Sequence, residues 1–258
     1  MNRIQTAFEQ KQNLLNIYFT AGYPALADTL PLAQALVAAG ADMLEIGMPF
    51  SDPLADGPVI QHSSTVALGN GMNIKTLFGQ LAPLRAALPD TPVLLMGYLN
   101  PVLQFGVENF CREAAAAGVD GIILPDLPVA EYEEEYADTF RRHGLRPVFL
   151  IAPQTSEARI RHLDSISEAF LYLVSGPGIT GNTGPADTSV QDDYFRRIEA
   201  MRLKTPRLVG FGIADQASFQ RACRHADGAI IGSALIRALA GAADAPAAAA
   251  AFVAGIKS

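Results

Sequence analysis

The chain has 258 residues, half of them hydrophobic, and a formal charge of −7 at pH 7. That length suits one α/β barrel or two smaller domains, and the acidic balance argues against general nucleic-acid binding. No apolar run approaches the roughly 20 residues of a bilayer span, and Cys111 and Cys223 lie far apart in helical contexts, which disfavours a disulfide framework or a cysteine zinc site.

The first eight residues read as an amphipathic helix without the apolar core of a signal peptide, so a cytoplasmic location is expected. Beyond it, short apolar strands alternate with amphipathic helices. The strands are predicted at 16–20, 43–46, 93–96, 121–124, 148–151, 170–174, 207–210 and 228–231. Helices are predicted near 27–39, 59–87 (in two pieces), 107–117, 130–143, 156–165, 190–202, 215–224, 233–240 and 246–256. The strands are continuous apolar runs, as when both faces of a parallel sheet are buried.

The joints repeat. Ala39-Gly40-Ala41-Asp42, Ala117-Gly118-Val119-Asp120 and His225-Ala226-Asp227-Gly228 each leave a helix and enter a strand. In the first two, the glycine can take the left-handed conformation that ends a helix. With no linker or composition break, the pattern predicts a single domain over residues 1–258, a single (β/α)8 TIM barrel with an extra N-terminal helix. An open, doubly wound sheet satisfies the same alternation.

In a barrel the strand-to-helix loops share one functional face. Three glycine-rich loops follow the last three predicted strands: Ser175-Gly176-Pro177-Gly178-Ile179-Thr180-Gly181-Asn182-Thr183-Gly184, then Gly210-Phe211-Gly212-Ile213, then Gly232-Ser233. Any one of them reads equally as a tight turn. Together they fit a phosphate site, because glycines let backbone N–H groups approach an anion. None matches a P-loop or a dinucleotide fingerprint, which points to a small phosphate ester. Lys11, Lys75, Lys204 and Lys257 all lie outside these loops, so backbone would bind the anion, and no lysine is placed for Schiff-base chemistry. His62, His143, His162 and His225 sit in or beside helices without metal-ligand spacing and read as surface or cap residues.

Carboxylates remain. Glu45 lies in the second predicted strand. Facing inward it would have its pKa pushed toward neutrality; facing outward it would be an ordinary salt-bridge partner. Asp56 follows in a loop and is expected to be more solvated and ionised, the usual division between a proton donor and an anionic stabiliser. Asp52 reads as a turn former, and Asp126 as a structural or interface loop residue. The residues alone imply proton-transfer catalysis on a small phosphorylated molecule.

The run Phe50-Ser51-Asp52-Pro53-Leu54-Ala55-Asp56-Gly57-Pro58, preceded by Glu45-Ile46-Gly47, closely resembles the signature of tryptophan synthase alpha subunits. So do Tyr18-Phe19-Thr20-Ala21-Gly22-Tyr23-Pro24, Met96-Gly97-Tyr98-Leu99-Asn100-Pro101 and Leu124-Pro125-Asp126-Leu127-Pro128. The resemblance covers essentially the whole chain. It implies retro-aldol cleavage of indole-3-glycerol phosphate, with Glu45 as general acid–base and Asp56 hydrogen-bonding the indole N–H. It also implies Tyr172 beside the catalytic glutamate, Thr180 holding the Asp56 loop, and Gly181, Gly212, Gly232 and Ser233 at the phosphate. A pyridoxal-phosphate beta subunit is the implied partner in an alpha2beta2 heterotetramer. Its docking surface would comprise Pro49–Pro53, Asn100–Pro101 and Pro128 onward, with no cofactor in this chain. A stand-alone indole-3-glycerol phosphate lyase is the alternative. One departure stands out: relatives begin the loop after the sixth predicted strand Ser-Arg-x-Gly-Val-Thr-Gly, whereas Ser175-Gly176-Pro177-Gly178-Ile179-Thr180-Gly181 lacks the basic residue and gains a proline. This loop is expected to be among the most mobile without ligand, and the Asp56 loop is expected to complete the site by closing.

Overall fold

In the computed structural model, residues 2–174, 188–210 and 212–258 are described. Thr180, Gly181 and the predicted mobility of their loop lie outside them. Nine strand segments form one parallel sheet: β1 (Leu14–Thr20), β2 (Met43–Gly47), β3 (Val93–Met96), β4 (Gly121–Ile123), β5 (Arg146–Pro147), β6 (Phe149–Ile151), β7 (Leu171–Val174), β8 (Arg207–Gly210) and β9 (Gly228–Ile231). Their order is β5-β4-β3-β2-β1-β9-β8-β7-β6, with every pairing parallel.

The two edges of that order, β5 and β6, are consecutive in the chain and separated only by Val148. Val148 N–H still donates to Ile122 O at 3.0 Å, on the β4 side. The fifth strand thus hands over from one neighbour to the other within a few residues, and the sheet closes on itself. The eight predicted strands are present once β5 and β6 are read as halves of one. The sequence placed the start of that strand at 148 because Arg146 and Pro147 interrupt the apolar run, and a proline has no N–H for the ladder.

Closure divides the core in two. The inner cluster takes Leu14, Met43, Leu94, Ile123, Val148, Phe170, Leu208 and Ile230, contributed from around the barrel. The outer cluster fills the space between strands and helices. All seven residues of β1 and all five of β2 are buried, which is why these strands do not alternate in hydropathy. The N-terminal helix Arg3–Gln10 plugs the lower end of the barrel. Ile4 and Ala7 join the inner cluster, and the Phe8 ring lies 5.9 Å from that of Phe170.

The repeated joints have a common purpose at this lower end. Gly40 (φ +112°) and Gly118 (φ +80°) take the left-handed conformation expected of them. The aspartates that follow reach sideways to the neighbouring strand. Leu15 N–H donates to Asp42 Oδ2 at 2.9 Å, Val93 N–H to Asp120 Oδ2 at 2.9 Å, and Arg207 N–H to Asp227 Oδ2 at 2.8 Å. Each aspartate therefore fixes the register of an adjacent strand. Asp120 also pairs with Arg3 at 2.9 Å and Arg85 at 2.7 Å, and Asp42 with Lys11 at 2.8 Å and Lys257 at 2.6 Å, tying both ends of the chain to the barrel floor. Among the described residues no helix is long and apolar enough to cross a membrane.

Replacing Asp120 by Ala leaves the half-buried Arg85 without its carboxylate and the Val93 N–H without its side-chain acceptor. This should cost about 3 kcal/mol, read as a lower urea midpoint with an unchanged slope, because removing one partner strands the other.

Candidate active site

Side chains alternate across a strand, so Glu45, two residues after the inner-cluster Met43, points into the barrel, while Leu44 points outward. Glu45 is fully buried. The one partner of its carboxyl among the described residues is Asn16, whose Nδ2 donates to Oε1 at 2.6 Å; Oε2 has none. Burial pushes the carboxyl up from its ordinary 4.5 to about 8, with the Asn16 amide pulling the other way. The outward salt-bridge reading of Glu45 is excluded.

Tyrosines wall the space above it. Tyr18, level with Glu45 on β1, and Tyr172 on β7 are both buried. Burial is the main cause holding both phenols above their usual range; the charges of Asp56 and Glu45 add to it. Room for these rings comes from glycine. A Cβ at Gly47 would lie 2.2 Å from the Tyr18 hydroxyl, and one at Gly210 2.3 Å from the Tyr172 ring. The Tyr18 and Thr20 hydroxyls are 3.4 Å apart, and Thr20 continues to Ser63 at 2.7 Å, joining the mouth to the helix Pro58–Gly69.

Asp56 lies in the loop between β2 and that helix, half-buried rather than solvated. Desolvation raises its carboxyl above the ordinary range, while the Tyr98 hydroxyl favours the charged form. Tyr98 also accepts from Ala55 N–H at 3.0 Å, its ring lies 5.5 Å from Phe50, and Gln61 Nε2 donates to Asp56 O at 2.7 Å. These ties hold Asp56 close enough to perturb Tyr18 and Tyr172 already. The expectation of a solvated Asp56 is therefore corrected: the aspartate is half-buried and tied through Tyr98, near enough to Tyr18 and Tyr172 to raise both phenols.

Gly212 (φ +77°), Gly232 and Ser233 follow the adjacent strands β8 and β9 at the same mouth. Asp126 is structural, both its oxygens accepting from Leu99 N–H at 3.0 Å. His143, His162 and His225 pair at 2.8 Å with Glu108, Glu133 and Glu199 between outer segments of the chain, as surface residues do. Sequence reasoning missed Asn16 and the clamp by Tyr98. The signal for Asn16 was present, since it is the one amide in an otherwise apolar run. For Tyr98 nothing local announces a partner in another loop.

A closed parallel barrel with a buried, readily protonated carboxyl and a second carboxyl at its mouth defines an enzyme of acid–base chemistry. The family model described as Tryptophan synthase alpha chain matches residues 4–255. A tryptophan synthase alpha chain of Flavobacterium psychrophilum is 53% identical over 93% of this chain and 94% of its own, and that of Flavobacterium johnsoniae is 51% identical over 93% and 94%. A crystal structure of tryptophan synthase subunit alpha from Legionella pneumophila superposes with a TM-score of 0.90 at 34% identity, covering 100% of this chain and 97% of that one. The chain belongs to the tryptophan synthase alpha chain family. It is a carbon–carbon lyase of tryptophan biosynthesis, cleaving indole-3-glycerol phosphate to indole and glyceraldehyde 3-phosphate. The stand-alone lyase finds no support among these relatives.

Two outcomes follow from the geometry. Gly210→Ala should displace Tyr172 and destabilise the fold by about 1–3 kcal/mol, with a matching loss of indole release. Because Glu45 binds its proton more tightly folded than unfolded, its contribution to stability is complete below about pH 4.5 and is lost as pH rises through about 8. Glu45→Gln should remove that decline, so melting curves across this window should converge at low pH and favour the variant at high pH.

Proposed function

We propose that Glu45 is the general acid–base of the lyase reaction and Asp56 its electrostatic partner. The observation that carries this reading is the buried Glu45 carboxyl, raised to about 8 and therefore mostly protonated at neutral pH. Glu45 gives its proton to the indole carbon that bears the glycerol chain, and the ring nitrogen takes up the positive charge. Asp56, through the N–H of that nitrogen, stabilises this cation. The Glu45 carboxylate, now ionised, takes the proton of the hydroxyl on the carbon attached to the ring. A carbonyl forms, the carbon–carbon bond breaks, and its electrons return to the indole ring, restoring aromaticity. Protonation first avoids expelling an indole carbanion.

Tyr172 lines the pocket beside Glu45. Thr180 holds the Asp56 loop, and Gly181, Gly212, Gly232 and Ser233 take the phosphate on backbone N–H groups and the serine hydroxyl, with no lysine among them. The whole chain acts as a single domain, and no cofactor enters these steps. The partner is a beta subunit in an alpha2beta2 assembly, carrying the pyridoxal phosphate, in the cytoplasm. Leu54 and Leu103, the large apolar side chains exposed among the described residues, support the docking surface at Pro49–Pro53 and Asn100–Pro101.

Indole release from indole-3-glycerol phosphate, followed with and without a beta subunit, tests the assignment. Glu45→Gln and Asp56→Asn should each lower kcat at least about 100-fold, and wild-type kcat/KM should decline above about pH 8 as Glu45 ionises. Unchanged turnover in Glu45→Gln would sink the assignment.

A further inference from the structure

Asn16 occupies a barrel-lining position that branched apolar residues ordinarily fill. It follows Leu14 on the inner face of β1, is fully buried, and spends one amide hydrogen on Glu45 Oε1 at 2.6 Å. Its own Oδ1 has no partner among the described residues. A valine would fill the strand without leaving a polar atom orphaned, so as packing alone this amide is a loss. What it gains is control of the Glu45 carboxyl, which has no other hydrogen bond in the described structure.

We propose that Asn16 is a positioning residue for the lyase reaction, holding Glu45 Oε1 so that Oε2 is the oxygen that exchanges protons with substrate. The bond fixes the carboxyl plane from the neighbouring strand. It makes Oε1 the acceptor, which leaves the acidic proton on Oε2, the oxygen with no partner among the described residues. When Glu45 has given up its proton, the same donor steadies the carboxylate and limits how tightly the proton is held between the two steps.

This inference rests on Glu45 being the acid–base group, and the test separates the two. Asn16→Val removes the donor. Asn16→Asp keeps the shape and sets a second carboxyl against Glu45. Indole release is measured against pH for both, for wild type and for Glu45→Gln, with near-UV circular dichroism confirming the fold. Expected are a fall in kcat of about tenfold or more, KM within about twofold, and an alkaline limb of kcat/KM displaced upward by roughly one pH unit, further for Asn16→Asp than for Asn16→Val. If Asn16→Val does not fold, the Asp variant decides alone. An alkaline limb unmoved in a folded variant, or a loss confined to KM, overturns the positioning role. An active Glu45→Gln instead overturns the acid–base assignment beneath it.

Discussion

The chemistry proposed for this chain depends on a carboxyl group kept out of water by a closed parallel sheet. In an open sheet Glu45 would face a layer of helices and could escape toward solvent at an edge. Closure removes that escape, because the fifth strand meets one neighbour through Arg146–Pro147 and the other through Phe149–Ile151. Inside, desolvation outweighs the single amide donated by Asn16, and the proton stays on Glu45 near neutrality. The acid strength of the site is thus a property of barrel topology as much as of the residue.

The two ends of the barrel are built from different interactions. The floor is charged and tied, with aspartates that accept backbone N–H groups from neighbouring strands and pair with Arg3, Arg85, Lys11 and Lys257. The mouth instead holds glycines and tyrosines, with carboxyls that lack cationic partners in the described structure. A cation beside Glu45 would favour its ionised form and spoil it as an acid. The charge pairs are therefore concentrated at the end away from Glu45, where the N-terminal helix fills the space beneath.

The mouth also shows why glycine carries two meanings here. In the sequence, Gly210 and Gly232 read as places where a phosphate could approach the backbone. In the structure a Cβ at Gly210 collides with the Tyr172 ring, and one at Gly232 comes within 3.1 Å of Tyr18. These glycines thus also hold an aromatic wall in place, a use that spacing along the chain does not reveal.

By itself the sequence determined the alternation of strands and helices, the glycine turns at Gly40 and Gly118, and the Glu45…Asp56 signature that marks the family. These are local or patterned features, set by hydropathy period, turn geometry and motif. Only the tertiary structure decided that Glu45 faces inward, that Asn16 is its partner from the adjacent strand, and that Tyr98 ties down the Asp56 loop. Each of these joins residues on different strands or loops. Such contacts follow from strand register and barrel closure, and a linear pattern contains neither.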